Sequence, residues 1–449
     1  MITERISKLR EKMKENNVQA YIVPTSDFHE TEYVCEYFAC RKYMSGFTGS
    51  AGVLVVLLDK AALWTDGRYF IQAASQLEGT GIDLMKMGQP GVPEIDAYIV
   101  ENLKEKDTVG FDGRVMNTKD ALAYKEVFDL AHLNMNVNLD LVNDVWKNRP
   151  ELPSTPTFHY AEKFSGESVA SKLARLREYL KSSHVESIIL TSVDQIAWLY
   201  NLRAHDIPNF PVALAYSIVS LDSASIYMDA SRLDELSKKE FENNHVKVCG
   251  YNEVYEASKE LSKPVLVDPS SVNYAIVSNL KAKAVFKESP IVLWKALKNE
   301  TELKCTKWAH IKDGVAVTKF MYWLKNNAGK IEMSEMSVQS KLQVLRSEQE
   351  NYLEDSFDTI CAYKDHAAMM HYSSKPETNV AITNEGMLLI DSGGQYLEGT
   401  TDITRTFVLG AISEEEKYWF TKALRGHIRL SDAHFLFGCS GINLDILAR

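Results

Sequence analysis

Long apolar runs are missing from this chain: the sequence never reaches the roughly 18 consecutive apolar residues that a membrane-spanning helix needs. The N-terminal stretch MITERISKLREKMKENN is charged throughout and has no apolar core of the signal-peptide kind. Together these absences predict a cytoplasmic protein with no membrane partner. Cysteine is also sparse. The six thiols, Cys35, Cys40, Cys249, Cys305, Cys361 and Cys439, show no CxxC spacing, so free, mostly buried thiols are expected rather than disulfides or a cysteine-based metal site. There is no excess of positive charge either. With 50 Lys and Arg against 61 Asp and Glu, the formal charge is −11, which leaves no basic footprint for nucleic acid or anionic lipid. A small or peptidic partner is the better expectation, with a mild preference for cations.

What is present is an ordinary globular composition. At 45% hydrophobic and 25% charged residues over 449 positions, the chain can bury several cores, and its length suits about three domains. The first segment alternates helix and strand: ISKLREKMKENN has helical spacing with charge pairs, QAYIVPTS reads as a strand, and GVLVVLLDKAALWTDGRYF as a hairpin-like pair. RPELPSTPTF, punctuated by Pro and Ser/Thr, reads as a linker and places a boundary near 150–160.

An internal repeat supports that division. Leu9, Arg10, Glu11, Lys14, Val18, Ile22 and Asp27 recur as Leu176, Arg177, Glu178, Lys181, Val185, Ile189 and Asp194, every pair offset by 167 positions. A constant offset without gaps predicts a duplicated helix–strand unit and hence two similar N-terminal α/β domains.

From about Glu288 the pattern changes. Residues 299–327 form an amphipathic helical stretch that Asn299 or Thr301 can cap, MSEMSVQSKLQVLRSEQ reads as a second helix, and SEEEKYWFTKALRGHIRLSDAHF as a third opened by Ser413. Between them SFDTICAY, AAMMHYSS, GMLLIDSG and DITRTFVLG read as successive strands. The expectation is a helix-backed, largely antiparallel sheet of α+β character.

Within it, GMLLIDSGGQYLEGTTDITRTFVL puts two carboxylates at the ends of neighbouring apolar runs. Asp391 closes the first and Asp402 opens the second. Paired strands lie under about 5 Å apart, so a hairpin here would bring both acids to one spot. Taken alone, an acid-flanked turn is more often solvated than metal-binding. Thr404 and Arg405 follow closely, the threonine placed to support the acids and the arginine to pair with one of them.

The ordered series YMSGFTGSAG, WTDGRYF, VNDVWKNRPELP, DQIAWLYNLR, AHIKDGVAV, MMHYSSKPETN and LLIDSGGQYLEGTTDITRT resembles the aminopeptidase P family. These are X-Pro aminopeptidases of the creatinase/methionine-aminopeptidase, or pita-bread, class, in their long three-domain form. The resemblance implies two creatinase-type domains, 1–155 and 156–290, followed by a pita-bread catalytic domain from 291 to 449. It implies removal of the first residue from peptides with proline second, by water activated on two divalent ions, usually manganese, in a homodimer. Asp391 would bind one ion with both oxygens and Asp402 would bridge the pair. His371 would border the substrate and stabilise the developing oxyanion, and Arg68 would contact the substrate.

The same comparison exposes a shortfall. The family's HGTGHGVG segment and two later glutamate segments have no counterpart here, so only two of five expected ligands are present. The expectation is a C-terminally truncated first half of the catalytic domain, inactive alone and binding metal weakly, since two uncompensated acids repel each other. A non-catalytic pita-bread peptide-binding module and a prolidase- or creatinase-like hydrolase are the alternatives. The retained aspartates speak against the first, and the duplicated N-terminal domain against the second.

Overall fold

The computed structural model describes residues Met1–Arg449. They form two compact units: Met1–Asp313 with Glu350–Asp358 and Gly393–Thr401, and Gly314–Gln349 with Thr359–Ser392 and Asp402–Arg449.

The first unit opens with the helix Ile2–Glu15, whose Ile6, Leu9 and Met13 recur at helical spacing and are buried. Its first sheet comprises Ala20–Pro24, Val53–Leu57, Ala61–Thr65, Asp83–Lys86, Thr108–Gly110 and Asn134–Asn136. The second comprises Ser187–Leu190, Tyr216–Ser220, Ala224–Tyr227, Val246–Cys249, Val265–Val267 and Ala284–Phe286. Numbered in chain order within each sheet, both run 4-3-2-1-5-6. Orientation matches too: in each sheet strand 2 is antiparallel to strands 1 and 3, while the pairs 1–5, 3–4 and 5–6 are parallel. The 167-residue repeat is therefore a duplicated fold, and its equivalent residues Leu9 and Leu176, Val18 and Val185, and Ile22 and Ile189 are all buried. Alternation is weak in these strands because the central ones are covered on both faces.

The two copies meet through a shared apolar cluster in which Phe28 and Phe38 of the first pack with Val193, Ile207 and Val267 of the second. A buried imidazole links them as well. His29 contacts the Thr191 carbonyl through Nδ1 at 2.7 Å and the Tyr251 hydroxyl through Nε2 at 2.6 Å, and burial pushes its pKa down. All six cysteines are free, as their spacing predicts, but only Cys35 and Cys361 are buried and the other four are half-buried, against the expectation of mostly buried thiols.

The second unit is a three-stranded antiparallel sheet, Ile360–Tyr363, Met387–Ser392 and Ile403–Val408, with the long strand in the centre. Ala316, Phe320 and Leu324 of the helix Glu300–Asn327 and Val338 and Leu342 of the helix Glu335–Ser347 cover one face, burying Cys361, Leu388, Ile390 and Phe407. The expected caps are present. The Asn299 side chain accepts the Glu302 N–H at 2.9 Å, and Ser413 opens Glu414–Ser431 with a reciprocal Glu416 contact.

One expected strand is absent. AAMMHYSS, residues 367–374, begins at the end of the 3₁₀ turn Lys364–Ala368 and continues as irregular chain rather than a strand; Glu335 binds the Tyr363 N–H and the His366 and Tyr372 side chains on either side of this departure, as described below. Tyr352–Asp355, Gly394–Tyr396 and Gly399–Thr400 form a separate small sheet in the first unit. No helix is long and apolar enough to cross a membrane.

Candidate metal and substrate site

Six register pairs hold Met387–Ser392 against Ile403–Val408, from Met387 opposite Val408 to Ser392 opposite Ile403. Burial alternates along the first strand: Leu388, Ile390 and Ser392 point into the core, while Met387, Leu389 and Asp391 face the other way. Asp391 stands opposite Thr404, so Asp402, two residues before Thr404, takes the diagonal place on the same face, roughly 7–8 Å away along the backbone. The hairpin thus brings the two acids together, and the intervening segment Gly393–Thr401, which forms two short strands of the first unit's small sheet, is where the chain reverses.

Electrostatics mark this spot. Asp391 Oδ1 is buried and has no hydrogen-bond partner. Asp402 is held above the usual carboxylate range, first by burial and then by the negative charge of Asp391. A donorless carboxylate oxygen beside a second, disfavoured carboxylate is relieved by a cation, and hard oxygen donors suit a divalent one such as manganese or magnesium. The residues therefore fit a metal ion, although no group of three or more His, Cys, Asp or Glu side chains that could hold one is present.

Thr404 shares the acid face, as expected. Arg405 does not: it stands opposite Ile390 on the other face and donates to the Thr404 carbonyl at 2.8 Å instead of pairing with an acid. The reason is the period of two along a strand, which sends neighbouring side chains to opposite faces. A cavity of about 450 Å³ continues along the acid face, lined by Leu389, Thr406, Lys364 and Glu416 among others.

His371 lies beyond the turn that leaves the sheet at Tyr363, and it is exposed. Tyr363 pairs with Leu388 whereas Ile360 pairs with Asp391, so this segment departs from the strand end opposite the aspartates. Its placement depends on Glu335, a residue that sequence reasoning did not single out. Glu335 is fully buried. Its Oε1 accepts the Tyr363 N–H at 2.8 Å and the His366 Nδ1–H at 2.9 Å, and its Oε2 accepts the Tyr372 hydroxyl at 2.8 Å. One carboxylate at the start of a helix, where the dipole favours an anion, therefore gathers the stretch that carries His371. In the sequence Glu335 is one more acid after a capping serine, with no motif to mark it.

Arg68 lies in the first unit, between the strand Ala61–Thr65 and the helix Phe70–Leu77. Its guanidinium forms a two-pronged contact with Asp66, Nε to Oδ1 at 2.8 Å and Nη2 to Oδ2 at 2.7 Å, and sits 5.2 Å from the Tyr69 ring centroid. With 43% of its side chain exposed, Arg68 is a partly exposed cation oriented by its two-pronged pair with Asp66.

With this geometry in place, the relatives can be compared. The creatinase/prolidase N-terminal domain matches residues 5–138, a second form of it matches 148–302, and metallopeptidase family M24 matches 304–449. Two creatinase-type domains ahead of an M24 domain with its acid hairpin define a three-domain metallopeptidase. The X-prolyl aminopeptidase of Caenorhabditis elegans, a cytosolic enzyme with a di-nuclear active site, shares this fold with a TM-score of 0.92 and 32% identity, over 100% of this chain and 76% of its own. Aminopeptidase P2 of Arabidopsis thaliana is 36% identical over 491 residues, covering 100% of this chain and 69% of the relative. Xaa-Pro aminopeptidase 1 of Dictyostelium discoideum is 35% identical over 468 residues, covering 100% and 74%. The chain belongs to the X-Pro aminopeptidase (aminopeptidase P) family.

Proposed function

We propose that this protein removes the N-terminal residue from peptides with proline in second position, with Asp391 and Asp402 as metal ligands, His371 as a catalytic and substrate-binding residue and Arg68 as a substrate-binding residue. The observation that carries this reading is the donorless Asp391 oxygen facing an Asp402 whose ionisation it opposes. An X-Pro bond is a tertiary amide without an N–H, so recognition falls on the free amine and the proline ring. Asp391 and Asp402 would hold the divalent ions, manganese in this reading, which when bound would supply an acidified water and polarisation of the scissile carbonyl. The chain's own residues do the rest: Asp391 and Asp402 fix where that chemistry occurs, His371 donates a hydrogen bond to the developing oxyanion, and Arg68 orients the substrate.

The proposed domain extents are 1–155, 156–290 and 291–449. The cytosolic C. elegans relative supports a cytoplasmic location, and the family resemblance supports a homodimer. The charge of −11 supports peptide rather than nucleic-acid partners. Because the two aspartates have no third ligand beside them in residues 1–449, the test is release of arginine from Arg-Pro-Pro by the manganese-loaded enzyme completed with the family's remaining metal ligands, followed by mass spectrometry against Arg-Ala-Pro. Selective cleavage of the proline peptide is expected; equal cleavage of both would overturn the substrate class.

A further inference from the structure

The second creatinase-type domain contains a polar crevice of about 320 Å³ at the carboxyl ends of its parallel strands. Ser187–Leu190 and Val265–Val267 lie side by side there, and their connections leave in opposite directions, toward Tyr216–Ser220 and toward Ala284–Phe286. Open α/β sheets take ligands at such a switch point. Asp268, the first residue after the fifth strand, is 6% exposed; its Oδ1 accepts the Ser270 N–H at 3.1 Å and its Oδ2 the Ser289 N–H at 3.0 Å. Both oxygens are thus fixed in place, with acceptor capacity left over.

A second, independent feature points to a ligand. Gln195 lines the same crevice, is 4% exposed, and its Oε1 has no hydrogen-bond partner. A buried acceptor without a donor is unfavourable, and the terminal amide torsion turns at low cost, so a donor entering the crevice would find this oxygen. Glu288 adds a carboxylate at the mouth, Lys287 a cation, and the half-exposed Phe286 an apolar wall.

The duplicated domain provides the contrast. After its fifth strand Asp112 is neutralised by Arg114, at 2.8 Å, and Arg114 also reaches Asp140 at 2.9 Å. The first copy supplies its own cation, whereas in the second Asp268 is held by backbone amides.

We propose that this crevice binds a free α-amino acid, its ammonium donating to Asp268 and Gln195 Oε1, its carboxylate against Lys287, and its side chain on Phe286. This inference does not depend on the aminopeptidase reading. It is tested by calorimetric titration of L-leucine into the protein, with 4-methylpentanoate (no amine), isoamylamine (no carboxylate) and glycerol as controls. Saturable binding of leucine, weakened about tenfold by Gln195→Met and by Lys287→Ala, is expected, the scale of one lost polar contact. The exposed Lys287 keeps the test decisive if Gln195→Met fails to fold. No leucine binding up to about 10 mM, binding unaffected by the substitutions, or equal binding of any control would overturn the proposal.

Discussion

Glu335→Ala removes the acceptor for three donors at once, and the structure sets the scale of the loss. The three contacts differ in what they leave behind. His366 keeps 19% of its side chain exposed and can turn to water, and the Tyr372 hydroxyl retains the Thr378 carbonyl at 3.2 Å. The Tyr363 N–H, donated to Glu335 Oε1, has no such fallback. A stranded buried donor costs about 1–3 kcal/mol, and truncating a fully buried side chain adds a cavity, so local destabilisation of about 3 kcal/mol is expected. At roughly 1.4 kcal/mol per tenfold change, hydrogen exchange across residues 360–372 should accelerate about a hundredfold, while the first-unit sheets keep their protection. Glu335→Gln retains one acceptor oxygen and should show only a small part of this effect. Unchanged exchange in 360–372 for the alanine variant would refute the idea that Glu335 organises the His371 segment.

Two further predictions concern charge and ligand count. Burial, with the Arg203 charge second, lowers the Lys172 pKa to about 7, whereas an unfolded lysine titrates near about 10.4. Between those values the unfolded chain holds the extra proton, so first-unit stability should rise with pH across that window; calorimetry should show the slope and Lys172→Met should flatten it, and a fall with rising pH would contradict the assignment. A polypeptide of residues 1–449 should release no arginine from Arg-Pro-Pro, because the two aspartates have no third ligand beside them; measurable release would show that the ligand count is wrong.

Much of this was legible in the sequence, for identifiable reasons. The duplication could be read because Leu9 and Leu176, with the residues that follow, face the same core positions in two sheets of identical order. The acid hairpin could be read because two short apolar runs flank a glycine-rich turn, and the period of two then decides which side chains share a face. The same rule, applied one step further, would have sent Arg405 away from the acids. The turn at Lys364–Ala368 was not legible, since it depends on Glu335, distant in sequence and unremarkable in composition. Gln195 was hidden for a similar reason. Within DQIAWLYNL it reads as one polar position of a short helix, and only the fold shows its carbonyl without a donor at a strand crevice.

The central claim is that Asp391 and Asp402 together hold the metal that carries out X-Pro cleavage. The most direct measurement is turnover of Arg-Pro-Pro by the same completed, manganese-loaded enzyme carrying Asp402→Asn, which keeps the size of the side chain and removes its charge. Loss of measurable turnover, with the fold intact and no rescue by added manganese, is the predicted result. Turnover restored to the unmodified level by manganese would contradict the role of Asp402.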